Sequence, residues 1–133
     1  MQFLESMNSV EVYNMNRDEW STSLISNLNV PRGGHSSCTL NSFIYVFCGQ
    51  TYNSRALSNV ERFNLNAIGD AQSSWQLIEV DQRQMPPRVS PVVSVIGCGG
   101  EILVMGGQSQ RGIKHADAYL FKIVEDAAEG ASS

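Results

Sequence analysis

The sequence predicts an all-β fold of repeated antiparallel units, and three observations predict it. Apolar and polar residues alternate in short runs, while the 3.6-residue period of an amphipathic helix is nowhere sustained. Glycine, asparagine and serine punctuate those runs at short intervals. The chain also repeats itself: YVFCGQ at 45–50 returns as LVMGGQ at 103–108, and self-similarity at a fixed spacing marks a repeat architecture.

The elements follow in chain order. Residues 9–14 alternate as a half-buried strand does, and a second strand is expected after Trp20. Residues 33–40 and 43–48 flank the turn pair Asn41-Ser42 and read as a hairpin whose second strand is a buried apolar run ending in glycine. Residues 58–65 alternate again, and another strand is expected after Trp75. A second hairpin, 89–96 with 101–106, turns at Gly99-Gly100, and a third alternating strand occupies 116–123. The end, KIVEDAAEGASS, has small and acidic residues and no tryptophan, so a disordered tail is expected there.

Laid against itself, the chain matches Val10-Glu11-Val12-Tyr13 with Val60-Glu61-Arg62-Phe63 and, more weakly, with Ala118-Tyr119-Leu120-Phe121. Pro31-Arg32 matches Pro87-Arg88, and Ile44-Tyr45-Val46 matches Ile102-Leu103-Val104. A four-strand unit recurring about every 50–58 residues has the length of a propeller blade. The pattern resembles the Kelch repeat, whose diglycine is followed by a tyrosine and then a tryptophan. Here that is Cys48-Gly49 with Phe63 and Trp75, then Gly106-Gly107 with Tyr119 or Phe121 and no tryptophan after them. The resemblance covers roughly residues 9–123. Cys48 stands where the family has its first glycine, which puts the positive backbone angle at that position in question.

With strands named a to d from the propeller axis outward, the resemblance divides the chain into four parts. Residues 1–24 carry strands c and d of an incomplete blade, 25–79 a complete Kelch blade, 80–123 strands a to c of a further blade, and 124–133 the tail. Family rings close with about five to seven blades. The expectation is therefore a Kelch-type β-propeller fragment, the C-terminal portion of a longer ring with its remaining blades upstream in the parent chain. Tyr13, Trp20, Gly49, Phe63, Trp75, Gly106, Gly107 and Tyr119 are expected to be its structural repeat positions, the aromatic ones packing the blades.

Composition narrows the function classes. The chain has 133 residues, 42% hydrophobic and 17% charged, with a net charge of −4, which fits a globular protein and argues against a nucleic-acid partner. No apolar run approaches the roughly 20 residues of a membrane helix, and MQFLESMN lacks the basic start of a signal peptide. No membrane partner and a cytoplasmic location are expected. Cys38, Cys48 and Cys98 are too widely spaced for a zinc ligand set or a disulfide framework and read as reduced thiols.

No cofactor is expected, and the chain is not read as an enzyme. His35 and His115 lie in no nucleophile context, and no glycine-rich loop leads into a helix. Some Kelch-type propellers are copper oxidases, but the tyrosine, cysteine and histidine residues here do not form such a ligand set. Arg32 and Arg88 recur at one repeat position, either as structural ion-pair donors or as carboxylate readers.

The loops carry the remaining signal. In a propeller, b-to-c and d-to-a connections share one rim, and there Arg55, Arg83, Arg111 and Lys114 face a single acid, Asp81. On the other rim Arg17 faces Asp18, Glu19, Asp70 and Glu101. Family members that read acidic peptides use the first rim. The expectation is a protein-interaction module, adaptor or scaffold, that docks an acidic peptide or loop on Tyr52, Arg55, Arg83, Arg111 and Lys114, with Gln50, Gln82 and Gln108 as neutral hydrogen-bonding neighbours. The alternatives are part of an enzyme whose catalytic residues lie on missing blades, or a structural subunit of a large assembly.

Overall fold

The computed structural model describes residues 7–97 and 100–124. Cys98, Gly99 of the second turn pair, and the expected tail from residue 125 onward lie outside the described residues. Among the described residues nine strands occur: β1 Val12–Asn14, β2 Glu19–Ser21, β3 Ser36–Leu40, β4 Phe43–Phe47, β5 Val60–Asn64, β6 Gln76–Ile78, β7 Val92–Ile96, β8 Glu101–Met105 and β9 Ala118–Lys122. One 3-10 turn, Leu65–Ala67, follows β5, and no helix among the described residues is long and apolar enough to cross a membrane.

The strands form three antiparallel sheets, β1-β2, β3-β4-β5-β6 and β7-β8-β9. The fold is all-β, and each sheet is a meander whose neighbours in sequence are neighbours in space. The β3–β4 hairpin pairs Leu40 with Phe43 across Asn41 and Ser42, whose φ values of 50° and 67° suit the mirror-image turn that follows strand twist. Trp20 lies inside β2 and does not precede it, because its ring stacks across the ladder on Tyr13 with centroids 5.0 Å apart.

Period-2 alternation gives the central sheet two buried faces. Tyr45, Phe47 and Val60 look toward the third sheet and meet Ile102 and Val104, both fully buried, together with Val93, Val95 and Phe121. Phe47 meets Phe121 edge to face at 5.3 Å. The opposite face carries Val46, Phe63 and Trp75, covered by Ile25 and Leu28 from the β2–β3 connection and by Val10 and Val12. Each large side chain buried in this way contributes about 1.5–3 kcal/mol.

The sheets are also joined by backbone. Arg32 N–H donates to the Met7 carbonyl and Arg88 N–H to the Leu57 carbonyl, both at 3.1 Å, so one contact recurs at each joint. Gly49 N–H returns a bond to the Arg88 carbonyl at 3.0 Å, and Ser90 N–H reaches the Gly34 carbonyl at 2.7 Å.

Candidate functional site

The two repeated arginines are pillars beneath the loop rim. Arg32 donates through Nη1 to the carbonyls of Cys48 at 2.9 Å and Asn59 at 3.3 Å, and through Nη2 to Asn59 Oδ1 at 2.9 Å and Glu61 Oε2 at 2.7 Å. Both charged side chains of the Arg32–Glu61 pair are wholly buried. Glu61 is completed by the backbone N–H groups of Asn29 at 2.6 Å and Val30 at 3.0 Å and by the Asn29 amide at 3.0 Å. A buried carboxylate with that many donors is fully compensated.

Arg88 repeats the design with one change. It donates to the Gly106 carbonyl at 2.9 Å and makes a bidentate pair with Asp117 at 2.7 and 3.1 Å. In the internal repeat Asp117 matches Asn59, and Tyr119 matches Glu61. The acid thus stands two residues earlier in the chain, just before the strand, and the tyrosine at the glutamate's position donates to Asp117 at 2.9 Å and lies under the guanidinium at 5.1 Å. The arginines are therefore fixed by the fold and are not available to read a partner's carboxylates.

Asp117 gives this seam a pH dependence. The hydrogen bond from Arg88 holds its carboxyl well below the usual carboxylate range, against the opposing effect of burial, with Tyr119 adding a second donor. A depressed folded-state pKa stabilises the fold above the unfolded value, about 3.9, and that stabilisation is lost as pH falls through the folded pKa. The stability gap between the natural chain and Asp117→Asn is expected to be full near neutrality and to shrink below about pH 4. Urea unfolding at neutral and acid pH measures it, and a gap that did not change with pH would remove Asp117 from this role.

The rim above is built from two copies of one loop. In the β4–β5 loop, Thr51 N–H bonds the Arg55 carbonyl at 3.0 Å and Leu57 N–H the Gly49 carbonyl at 2.8 Å. In the β8–β9 loop, Ser109 N–H bonds the Ile113 carbonyl at 2.8 Å and His115 N–H the Gly107 carbonyl at 2.9 Å. Both are closed by isolated bridges, Gln50 with Ala56 and Gln108 with Lys114. Gln110 Oε1 accepts from Ala56 N–H at 3.3 Å and so ties the two loops side by side. Tyr52 and Ile113 stand 73% and 65% exposed, and Arg55, Arg111 and Lys114 are also exposed.

Arg83 does not join that set as a free cation. It lies in the Asp81–Met85 turn and donates to Asp81 through Nε at 3.2 Å and Nη2 at 3.0 Å. The same contact lowers the Asp81 pKa. The basic surplus therefore resides in Arg55, Arg111 and Lys114, because the acid nearest in sequence to Arg83 already satisfies it. Gln82 shares that exposed turn.

The structural repeat positions divide. Phe63 and Trp75 are buried against each other at 5.5 Å, and the Trp75 indole donates to the Ser26 carbonyl at 2.9 Å. Trp20 departs from the packing expected of it: it is 68% exposed, since no counterpart of Ile25 and Leu28 covers its sheet among the described residues. Tyr13 beside it donates to Asp18. At the diglycine position, Cys48 adopts φ 63° and Gly106 φ 69°, so the cysteine keeps the left-handed turn after all. Burial pushes the Cys48 thiol up to about 11, which leaves it protonated and inert at neutral pH.

Sequence reasoning missed Asn59, Glu61, Asp117 and Gln110. The available signal was Glu61 standing at an apolar position of an alternating strand. Among the described residues no group of three or more histidine, cysteine or acidic side chains could hold a metal ion. No protein-family model and no curated protein matches the chain, so the geometry of the rim and its pillars is what bears on function.

Proposed function

We propose that the chain is part of a cytoplasmic Kelch-type β-propeller, with further blades upstream, that serves as a protein-interaction module and takes an acidic peptide or loop on the rim formed by the β4–β5 and β8–β9 loops. One observation carries this reading. Two loops of the same build are tied by Ala56 N–H to Gln110, they bear Tyr52, Arg55, Arg111 and Lys114 outward, and neither 50–58 nor 108–115 contains an acid. In a chain of net charge −4 such a rim favours an anionic partner electrostatically, with Tyr52 and Ile113 as apolar anchors. The Kelch reading is supported by three meandering sheets that stack face to face and by an arginine pillar repeated at each joint.

The test is fluorescence anisotropy with a labelled glutamate-rich peptide and its glutamine analogue. The acidic peptide is expected to bind and its neutral analogue not to bind. Combined substitution of Arg55, Arg111 and Lys114 by alanine is expected to weaken binding about tenfold or more, at several tenths of a kcal/mol per rim charge. Raising salt should weaken it similarly. Equal binding of the glutamine analogue would overturn the proposal.

A further inference from the structure

Among the described residues, the first sheet corresponds to the outer two strands of the second. β1 matches β5 and β2 matches β6, and the Tyr13–Trp20 pair, at 5.0 Å and 44°, reproduces Phe63–Trp75 at 5.5 Å and 47°. In the second sheet, β5 carries β4 on its inner edge. In the first, β1 pairs with β2 alone among the described residues. Beside that open edge runs a groove of about 650 Å³, with Val10 and Val12 on one wall and Ile44, Val46 and Leu28 on the other.

The groove also has a charged end. Glu11 matches Glu61 in the repeat, lines the groove and is exposed. The second sheet shows what such a glutamate receives when its sheet is complete: the guanidinium of Arg32 at 2.7 Å and the N–H groups of Asn29 and Val30, all from the segment that leads into β3. The same segment leaves Phe63 and Trp75 covered, whereas Tyr13 and Trp20 are 41% and 68% exposed.

We propose that this groove accepts an arginine-led β-hairpin, with an Asn-x-Pro-Arg lead like Asn29–Arg32, which adds two strands to the β1 edge, pairs its arginine with Glu11 and covers the Tyr13–Trp20 stack. This rests on the reading of the chain as part of a multi-blade ring and names the chemistry of the neighbouring half-blade. Backbone pairing supplies affinity, as in other strand additions, and the arginine–glutamate pair sets the register. The chain thus contains its own worked example of the occupied site.

The experiment titrates the 133-residue chain with a synthetic peptide copying residues 28–50, its cysteines replaced by serine. Binding is read by calorimetry and by tryptophan emission, since the peptide has no tryptophan. Saturable binding is expected, with a blue shift that is absent from Trp20→Phe. Glu11→Gln, or leucine in place of the peptide's arginine, should weaken binding at least tenfold, and Glu11→Arg with a glutamate-bearing peptide should recover part of it. Absence of binding, or binding unchanged in Glu11→Gln, overturns the inference. A blue shift produced by concentrating the chain alone also overturns it, because the occupant would then be a second copy.

The acidic-peptide titration separates this inference from the rim proposal. Hairpin binding should be indifferent to alanine at Arg55, Arg111 and Lys114. If hairpin binding fails while acidic-peptide binding persists, only the groove inference falls. The converse removes only the rim.

Discussion

Replacing Arg32 by methionine is expected to lower the unfolding free energy by about 3–5 kcal/mol, the usual cost of breaking a buried ion pair by removing one partner. The side chain is 2% exposed as a whole residue and holds the Cys48 and Asn59 carbonyls as well as Glu61. Its loss leaves those acceptors and a buried carboxylate short of donors at once. Lysine should rescue little, since a single ammonium cannot reproduce the planar fork. Arg32→Met combined with Glu61→Leu should be less damaging than the sum of the single changes, because no charge is then left unpaired. Equilibrium urea unfolding of the four chains measures the cycle, and a loss below about 1 kcal/mol for Arg32→Met would show that the pillar carries no weight.

Gly107→Ala is the second large effect. An added Cβ would meet the Val89 carbonyl oxygen at 2.7 Å and the Pro91 nitrogen at 3.2 Å, both rigid backbone, and φ is +87°. Strain and clash together should cost about 3 kcal/mol or more. Gly49→Ala meets the Gly33 carbonyl oxygen at 2.7 Å and should behave alike. Gly69 supplies the control, with φ +90° but its nearest neighbour at 4.0 Å, so alanine there should cost only about 1–2 kcal/mol of left-handed strain. Thermal or urea unfolding distinguishes them. Equal losses at Gly69 and Gly107 would mean that backbone angle alone, and not the close approach of the chains, accounts for the effect.

The strands were legible because alternation is local and a turn pair announces the β3–β4 hairpin. Asn41-Ser42 marks the β3–β4 hairpin, and both the grouping of strands and their order follow from the repeat. Pairings between distant residues were not legible. Which acid answers Arg32 depends on positions 59 and 61, far away in sequence, and although Glu61 shares its strand face with Phe63, alternation does not name the arginine that it meets. The turn at Cys48 departs from residue preference for a related reason: its N–H bonds the Asn59 carbonyl at 3.1 Å and its own carbonyl takes the Arg32 guanidinium. These neighbours hold a left-handed angle that residue preference alone argues against. Arg83 is the opposite case, since its ion pair with Asp81, two residues before it, is a local contact that a count of loop charges leaves out. Repeat position alone predicts a buried Trp20, whereas the cover of its counterpart Trp75 comes from Ile25 and Leu28, outside the sheet of Trp75.

The migrating carboxylate has a consequence for descent. Positions two apart on a strand lie on one face, so a guanidinium anchored at its root can reach an acid at either. A lineage can therefore pass through a form with acids at both positions and lose one without ever leaving the arginine unanswered. Asn59 with Glu61 and Asp117 with Tyr119 show both arrangements within one chain.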